Sequence, residues 1–128
     1  NSEALEVYKG IDDFMVVLED EAAIANNNPN FSLIKSMDSR GLIITAKGEE
    51  VDFVSRWYGP QTGINEDPAT GSAHALLATY WSKILNKSEL NARQLSKRVG
   101  HLKCEVKNDL VEITGEAKLY LRGTLQLD

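Results

Sequence analysis

The chain has 128 residues and a net charge of −5, a length that suits one domain with a single hydrophobic core. The acidic balance argues against non-specific binding to nucleic acid or to an anionic membrane surface, although a local pocket can still bind a small anion. A single cysteine, Cys104, excludes an internal disulfide and is typical of a reducing compartment. No apolar run approaches the roughly 20 residues of a membrane span, and no signal-peptide pattern is present. We therefore expect a cytoplasmic protein.

The first part of the chain predicts strands wherever apolar residues alternate or β-branched and aromatic residues are frequent. These segments are 4–10, 13–19, 41–48 and 51–59. The Ala-rich, acidic segment 19–28 predicts a short helix, and Pro29 at a first helical position predicts a second one over 30–38. Turns are predicted near Ile11-Asp12 and over 38–41.

A loop over 60–70 leads into the longest predicted helix, from Gly71 to about Leu85, because apolar residues recur there at helical spacing. Strands are predicted again after this helix. They are 93–100, 101–107, 110–117 and 118–127. Strands on both sides of one long helix predict an α+β fold in which a sheet curls around that helix.

The segment EDPATGSAH, residues 66–74, combines an acid pair and a proline with a run of small residues where the long helix begins. Two helix starts are compatible with it: Asp67 as the N-cap followed by Pro68, or Thr70 as the N-cap followed by Gly71. The second start accounts better for the small side chains. The first helical amides lack internal partners and lie at the positive end of the helix dipole, so a carboxylate or phosphate oxygen would fit there. The alternative is a capped helix whose Gly71 packs closely against a strand.

The stretch RWYGPQTGINEDPATGSAHALLATYW, residues 56–81, resembles the signature of the phenazine biosynthesis PhzF-like isomerase family. Residues 93–125, with a Gln-x-Ser-x-Arg segment, resemble the closing strands of that family. The resemblance implies a fold similar to diaminopimelate epimerase, with two lobes that each wrap a mostly antiparallel sheet around a central helix. Residues 1–128 would then be a single domain, the C-terminal lobe of a longer two-lobe protein. The lack of an initiator Met agrees with this expectation.

The same resemblance implies the residues of the site. Asp67 matches the aspartate near the transferred proton and is the predicted catalytic residue. The predicted substrate-binding residues are Thr70, Gly71, Ser72, Ala73 and His74. The Gly-Ser pair would hold a substrate carboxylate through backbone amides and the hydroxyl, stabilising the charge that builds up as the proton moves. The principal acid/base of the family is a glutamate of the N-terminal lobe, so this chain alone is predicted to be inactive.

No cofactor and no metal are expected, because two His and one Cys fit no zinc spacing and the glycines form no nucleotide-binding pattern. The expected partners are a small carboxylate-bearing substrate, the N-terminal lobe of the same protein and, through the face that this lobe would cover, a second copy in a homodimer. An alternative function is a non-catalytic module of the same fold that binds a small anion or another protein.

The other polar and aromatic residues near the motif have mainly structural interpretations. Arg56 is expected to form a structural ion pair and Glu66 to be a solvated loop charge, whereas His74 could face either the cleft or solvent. Residues expected in the core are Tyr80, Trp81 and Cys104, and His101 is expected to be structural or exposed.

Overall fold

A computed structural model describes residues 3–127, which form a single sheet with helices on both faces. The strands are β1 (Glu6–Lys9), β2 (Asp13–Val17), β3 (Gly41–Lys47), β4 (Phe53–Gly59), β5 (Ile64–Glu66), β6 (Glu89–Gln94), β7 (Gly100–Lys107) and β8 (Leu110–Thr114). The helices are α1 (Glu21–Ala25), α2 (Phe31–Lys35) and α3 (Gly71–Leu85), and a 3-10 turn covers Pro60–Thr62. The predicted loop 60–70 therefore contains this turn and β5.

The strand order is β1-β2-β3-β4-β6-β7-β8, with β5 paired to the end of β4. The neighbouring strands are antiparallel except for two parallel pairs, β2 with β3 and β4 with β6. One edge of β4 is shared, since β6 pairs with Phe53–Ser55 and β5 with Tyr58 and Gly59. The prediction of an α+β fold with a mostly antiparallel sheet around one long helix is confirmed.

The long helix α3 lies on one face of the sheet and buries one side of its surface there. Its buried residues are Ala73, His74, Leu77, Ala78 and Trp81, which recur at the spacing of an amphipathic helix. They pack against apolar side chains from most of the strands: Met15, Ile43, Phe53, Leu90, Leu102 and Cys104. The Trp81 indole also donates a 2.9 Å hydrogen bond to Thr45 Oγ1, so its one polar atom is satisfied in the core. The core positions predicted for Trp81 and Cys104 are confirmed.

The short helices α1 and α2 cover the opposite face, where Ile24 and Ile34 pack against β3 and β4. The backbone N–H of Leu33 donates to the Asn30 side chain at 3.1 Å, which makes Asn30 the N-cap of α2. The prediction that Pro29 is a first helical residue is therefore wrong, because Asn30 provides the cap and Pro29 precedes it.

Two strand predictions in the last third of the chain are also wrong. The predicted strand 93–100 is replaced by β6, which begins at Glu89, and by a turn in which the Val99 N–H donates to the Ser96 carbonyl at 3.0 Å. Val99 has a φ of 52°, a left-handed conformation that is incompatible with an extended strand at this position. Residues 118–127 form no strand within the described chain, because β8 ends at Thr114 and the leucines that follow are exposed.

Candidate active site at the N-terminus of α3

The motif loop before α3 is held by the buried side chain of Gln94 at the end of β6. Its Oε1 accepts the backbone N–H of Thr70 at 2.8 Å, and its Nε2 donates to the backbone carbonyl of Asp67 at 2.7 Å. Ser96 adds a 2.8 Å hydrogen bond from its hydroxyl to the carbonyl of Pro68. The loop is therefore fixed through its main chain by the Gln-x-Ser segment.

The helix begins at Gly71 with Thr70 as its N-cap, which confirms the second of the two predicted starts. An N-cap Thr usually turns its hydroxyl back to accept an amide of the first turn. Here the Thr70 hydroxyl donates to Asp67 Oδ2 at 2.6 Å and accepts from Gln94 Nε2 at 3.1 Å, and it makes no capping bond. The first amides of α3 are therefore left for an acceptor from outside the helix.

Gly71 lies in open space at this helix start. Apart from its two chain neighbours and the backbone of its own helix turn, a Cβ atom added to it would meet no atom of the described chain within 4 Å. The alternative that Gly71 is required by close packing against a neighbouring strand is therefore wrong. The close approach is made by Gly100 instead, where an added Cβ would lie 2.8 Å from the Cβ of Ala69.

Ser72 is exposed at the second position of α3 and contacts Arg40, a residue that the sequence indicated only as part of a turn. Arg40 Nη1 donates to Ser72 Oγ at 2.9 Å, and the same guanidinium forms an ion pair with the buried carboxylate of Asp13. The hydrogen bonds to Asp13 raise the pKa of Arg40, so the guanidinium stays charged. The parallel register that places Asp13 opposite Gly41 brings these groups together.

Arg56 and Glu66 form a bidentate ion pair just before Asp67. Arg56 Nε and Nη2 lie 2.6 and 3.0 Å from the two carboxylate oxygens of Glu66, and Arg56 also donates to the carbonyl of Asn27 at 2.9 Å. The predicted structural pairing of Arg56 is confirmed. The prediction that Glu66 is a solvated loop charge is wrong, because Glu66 lies in β5 and its carboxylate is held by Arg56.

His74 lies below the helix start, with its ring fully buried beside Phe53. Its Nδ1 is 2.8 Å from the carbonyl of Thr70, which requires an Nδ1–H donor. Burial lowers the pKa of the imidazole, so the ring is neutral near pH 7. The interpretation that His74 faces a cleft or solvent is corrected, since the ring does not reach the surface. His101 is exposed, in agreement with its predicted place.

A cavity of about 270 Å³ opens beside the N-terminus of α3. Its walls are the β1–β2 turn, Arg40, and the face of α3 that carries Ser72, Ala75 and Leu76. Within residues 3–127, no group of three or more His, Cys, Asp or Glu side chains is arranged to hold a metal ion. In the same range no helix is both long and apolar enough to cross a bilayer.

Comparison with known proteins places this chain in a family. The family model described as phenazine biosynthesis-like protein matches residues 3–123. An uncharacterised isomerase of Pseudomonas aeruginosa is 49% identical over 116 residues, which cover 91% of this chain and 45% of that protein. The phenazine biosynthesis-like domain-containing protein 1 of Mus musculus is 44% identical over 112 residues, covering 82% of this chain and 39% of its own length.

Solved structures of the same family share the fold. A putative phenazine biosynthesis PhzC/PhzF protein from Clostridium difficile superimposes with a TM-score of 0.87 at 42% identity, over 98% of this chain and 48% of that one. A PhzF family protein from Enterococcus faecalis gives 0.80 at 45% identity, over 92% and 48%. The chain thus spans about half the length of the relatives it matches. It belongs to the phenazine biosynthesis-like, or PhzF-like, isomerase family.

Proposed function

We propose that the N-terminus of α3 binds the carboxylate of a small substrate in a cofactor-independent isomerase. The backbone amides of Gly71, Ser72 and Ala73 and the hydroxyl of Ser72 would donate to the carboxylate oxygens. These donors are fixed in place before the ligand arrives, so they stabilise the negative charge that develops when a proton leaves the neighbouring carbon. Thr70 and His74 would stabilise the position of these donors, because the Thr70 carbonyl accepts a hydrogen bond from His74 Nδ1 inside the protein.

The observation that carries the proposal is the direction of the Thr70 hydroxyl. If the hydroxyl capped the helix, it would occupy an amide that the ligand needs. Its bonds to Asp67 and Gln94 leave those amides for the substrate, and the open space at Gly71 allows the approach.

Asp67 is the proposed catalytic residue of this lobe. Thr70 donates to its Oδ2, and Gln94 holds its backbone carbonyl, so the carboxylate has a fixed position beside the helix start. From there it would orient the substrate or share in the handling of the proton. General acid/base catalysis needs this kind of fixed position within hydrogen-bonding reach of the proton.

The principal acid/base of the reaction would be a glutamate of an N-terminal lobe. The chain covers 45% of the Pseudomonas aeruginosa relative, which leaves room in a protein of that length for a second lobe. The reaction would take place between the two lobes, and residues 1–128 alone would be inactive. In the absence of the second lobe, a second copy of the chain would cover the same face.

The test is exchange of a substrate proton in heavy water. The full-length protein is incubated with small 2-hydroxy and 2-amino acids, and loss of the signal of the proton next to the carboxylate is followed by NMR. We expect exchange with at least one acid, reduced about 100-fold or more in Asp67→Asn and about tenfold or more in Ser72→Ala. Lys87→Gln, which removes a charge near the opposite end of α3, serves as the control.

The alternative function is a module that binds a small anion without chemistry. It predicts saturable carboxylate binding that Ser72→Ala weakens, no proton exchange with any acid tested, and no effect of Asp67→Asn. Exchange that persists unchanged in both variants would contradict the proposed site itself.

A further inference from the structure

Arg40 reaches the proposed carboxylate site through a single side chain, that of Ser72. Its Nη1 donates to Ser72 Oγ at 2.9 Å, while Nε donates to Asp13 Oδ1 at 3.1 Å and Nη2 pairs with Asp13 Oδ2. The guanidinium carbon Cζ also lies over the ring of Trp57, 5.5 Å from the ring centre. Because Asp13 is 5% exposed and the pair is bidentate, the direction of Nη1 toward Ser72 is fixed.

A guanidinium has five donors and no acceptor, so Ser72 Oγ is the acceptor in its contact with Arg40. The hydroxyl proton of Ser72 must then be directed to a different oxygen. Ser72 is exposed beside the cavity at the helix start, where an oxygen of a bound carboxylate would lie. We propose that Arg40 is a positioning residue, which holds the Ser72 hydroxyl as a hydrogen-bond donor toward the substrate. This inference rests on the proposed function of the site.

A direct role for Arg40 as the partner of the substrate carboxylate fits the charges less well. Asp13 neutralises the guanidinium, and Asp12 adds a second carboxylate to the wall of the same cavity. An approaching anion would therefore meet no net positive charge at Arg40. The guanidinium acts on the substrate through Ser72.

The test is a double-mutant cycle in the full-length protein, with acetate and inorganic phosphate as the probes. Binding is measured by the chemical shifts of the backbone amides of Gly71 and Ala73, which are present in every variant of the cycle. We expect Ser72→Ala to weaken acetate binding about tenfold, and Arg40→Gln to weaken it by a similar factor. The double variant should bind acetate no more weakly than Ser72→Ala alone. Phosphate, which offers more acceptor oxygens, should lose affinity in the same variants as acetate if Arg40 acts on both anions through Ser72.

A second measurement separates positioning from a loss of fold. Arg40→Gln leaves the buried carboxylate of Asp13 unpaired, which can destabilise the fold. We therefore also study the paired variant, in which Asp13→Asn and Arg40→Gln are combined so that no unpaired charge is buried. In the wild-type protein, coupling constants of Ser72 should report one side-chain rotamer. In the paired variant, the coupling constants should indicate averaging over several Ser72 rotamers, and an unfolding curve checks that this variant is folded. In Lys87→Gln, Ser72 should keep its single rotamer.

The possible failures are distinguishable. If Ser72→Ala binds acetate as well as the wild-type protein, the proposed carboxylate site is wrong. If Ser72→Ala weakens binding but Arg40→Gln weakens it further by an independent factor, the positioning role is wrong and the proposed function stands. A Ser72 rotamer that stays fixed in the folded paired variant also overturns the positioning role.

Discussion

At the scale of single residues, Gly71 and Gly100 both adjoin the motif loop, but only one of them has a neighbour that excludes a side chain. Gly100 is required by the fold, because any side chain there would collide with Ala69. Gly71 has no such neighbour, and its backbone does not adopt a left-handed conformation. Since nothing within the described chain requires a glycine at the start of α3, we attribute it to the approach of a ligand.

Gly71→Ala tests this attribution because it separates stability from binding. Ala at the start of a helix loses less conformational entropy than Gly, so the free energy of unfolding should stay equal or rise by up to about 1 kcal/mol. The added methyl group should weaken carboxylate binding about tenfold, since it would lie where the proposed ligand approaches. Urea unfolding and an acetate titration measure the two effects. Gly63→Ala is the contrasting variant, because Gly63 has a left-handed backbone conformation and lies outside the motif. Unchanged acetate affinity would contradict the attribution.

The small residues of the motif could be predicted to lie at a helix start because caps and prolines are local signals, readable from a few neighbouring positions. Arg40 could not be predicted as part of the site by the same means. Its neighbours Asp13 and Ser72 are 27 and 32 positions away. Asp13 meets Arg40 because β2 and β3 pair in parallel, and Ser72 meets it because α3 packs on the same sheet; no residue pattern within these elements indicates either contact.

At the scale of elements, the connection between β6 and the loop before α3 is the main support of the site. The carboxamide of Gln94 satisfies two backbone groups of the loop and one hydroxyl, all of them through a side chain that is 0% exposed. In the sequence, only the resemblance to the family distinguishes the Gln-x-Ser segment from its neighbours. The physical reason for it is the hydrogen bonding of Gln94 and Ser96 to the main chain of the motif loop.

Replacing Gln94 with Leu should therefore lower both the free energy of unfolding and the affinity of the proposed site for a carboxylate. The Thr70 amide and the Asp67 carbonyl would each lose a buried partner, at about 1–3 kcal/mol for each group. We expect the free energy of unfolding to fall by roughly 2 kcal/mol or more, as measured in urea. Asn91→Leu, an exposed position in the same strand, is the matched control and should change it by less than about 0.5 kcal/mol. Equal effects of the two variants would rule out the supporting role of Gln94.

The segment after β8 shows what local patterns miss at this scale. Its leucines alternate with polar residues, which predicts a strand. They are nevertheless 74–92% exposed, and the segment pairs with no strand of the described chain. These leucines are Leu119, Leu121, Leu125 and Leu127. Alternation predicts that one face of a segment is to be buried, but it does not say against which neighbour. The predicted strand fails here because a strand requires a partner edge as well as a suitable sequence.

At the scale of the whole molecule, the buried imidazole of His74 links stability to pH. Burial lowers its pKa below the ordinary value of 6.5, so the folded protein keeps the ring neutral at a pH where the unfolded chain binds a proton. The contribution of this group to stability is thus complete above pH 6.5 and is lost progressively as the pH falls toward the lower folded pKa.

We expect the free energy of unfolding to decrease below pH 6.5 in the wild-type protein, and this part of the decrease to disappear in His74→Leu. Urea unfolding at a series of pH values between 7.5 and 5, a range chosen to bracket the ordinary histidine pKa, makes the comparison. The same pH dependence in wild type and His74→Leu would mean that the imidazole is protonated in the folded state as readily as in the unfolded chain.

The amide of Thr70 is buried and donates to a side chain 24 positions further along, on a different element. Because that bond cannot form until β6 has joined the sheet, the motif peptide alone cannot hold the start of α3 in the geometry seen here. We therefore expect the Thr70 amide to exchange with solvent far more slowly than an exposed loop amide, because its exchange requires this buried hydrogen bond to break. In evolutionary terms, a mutation anywhere in the sheet that lowers overall stability also lowers the fraction of molecules in which the proposed site is formed, so selection on that site would act on the fold as a whole.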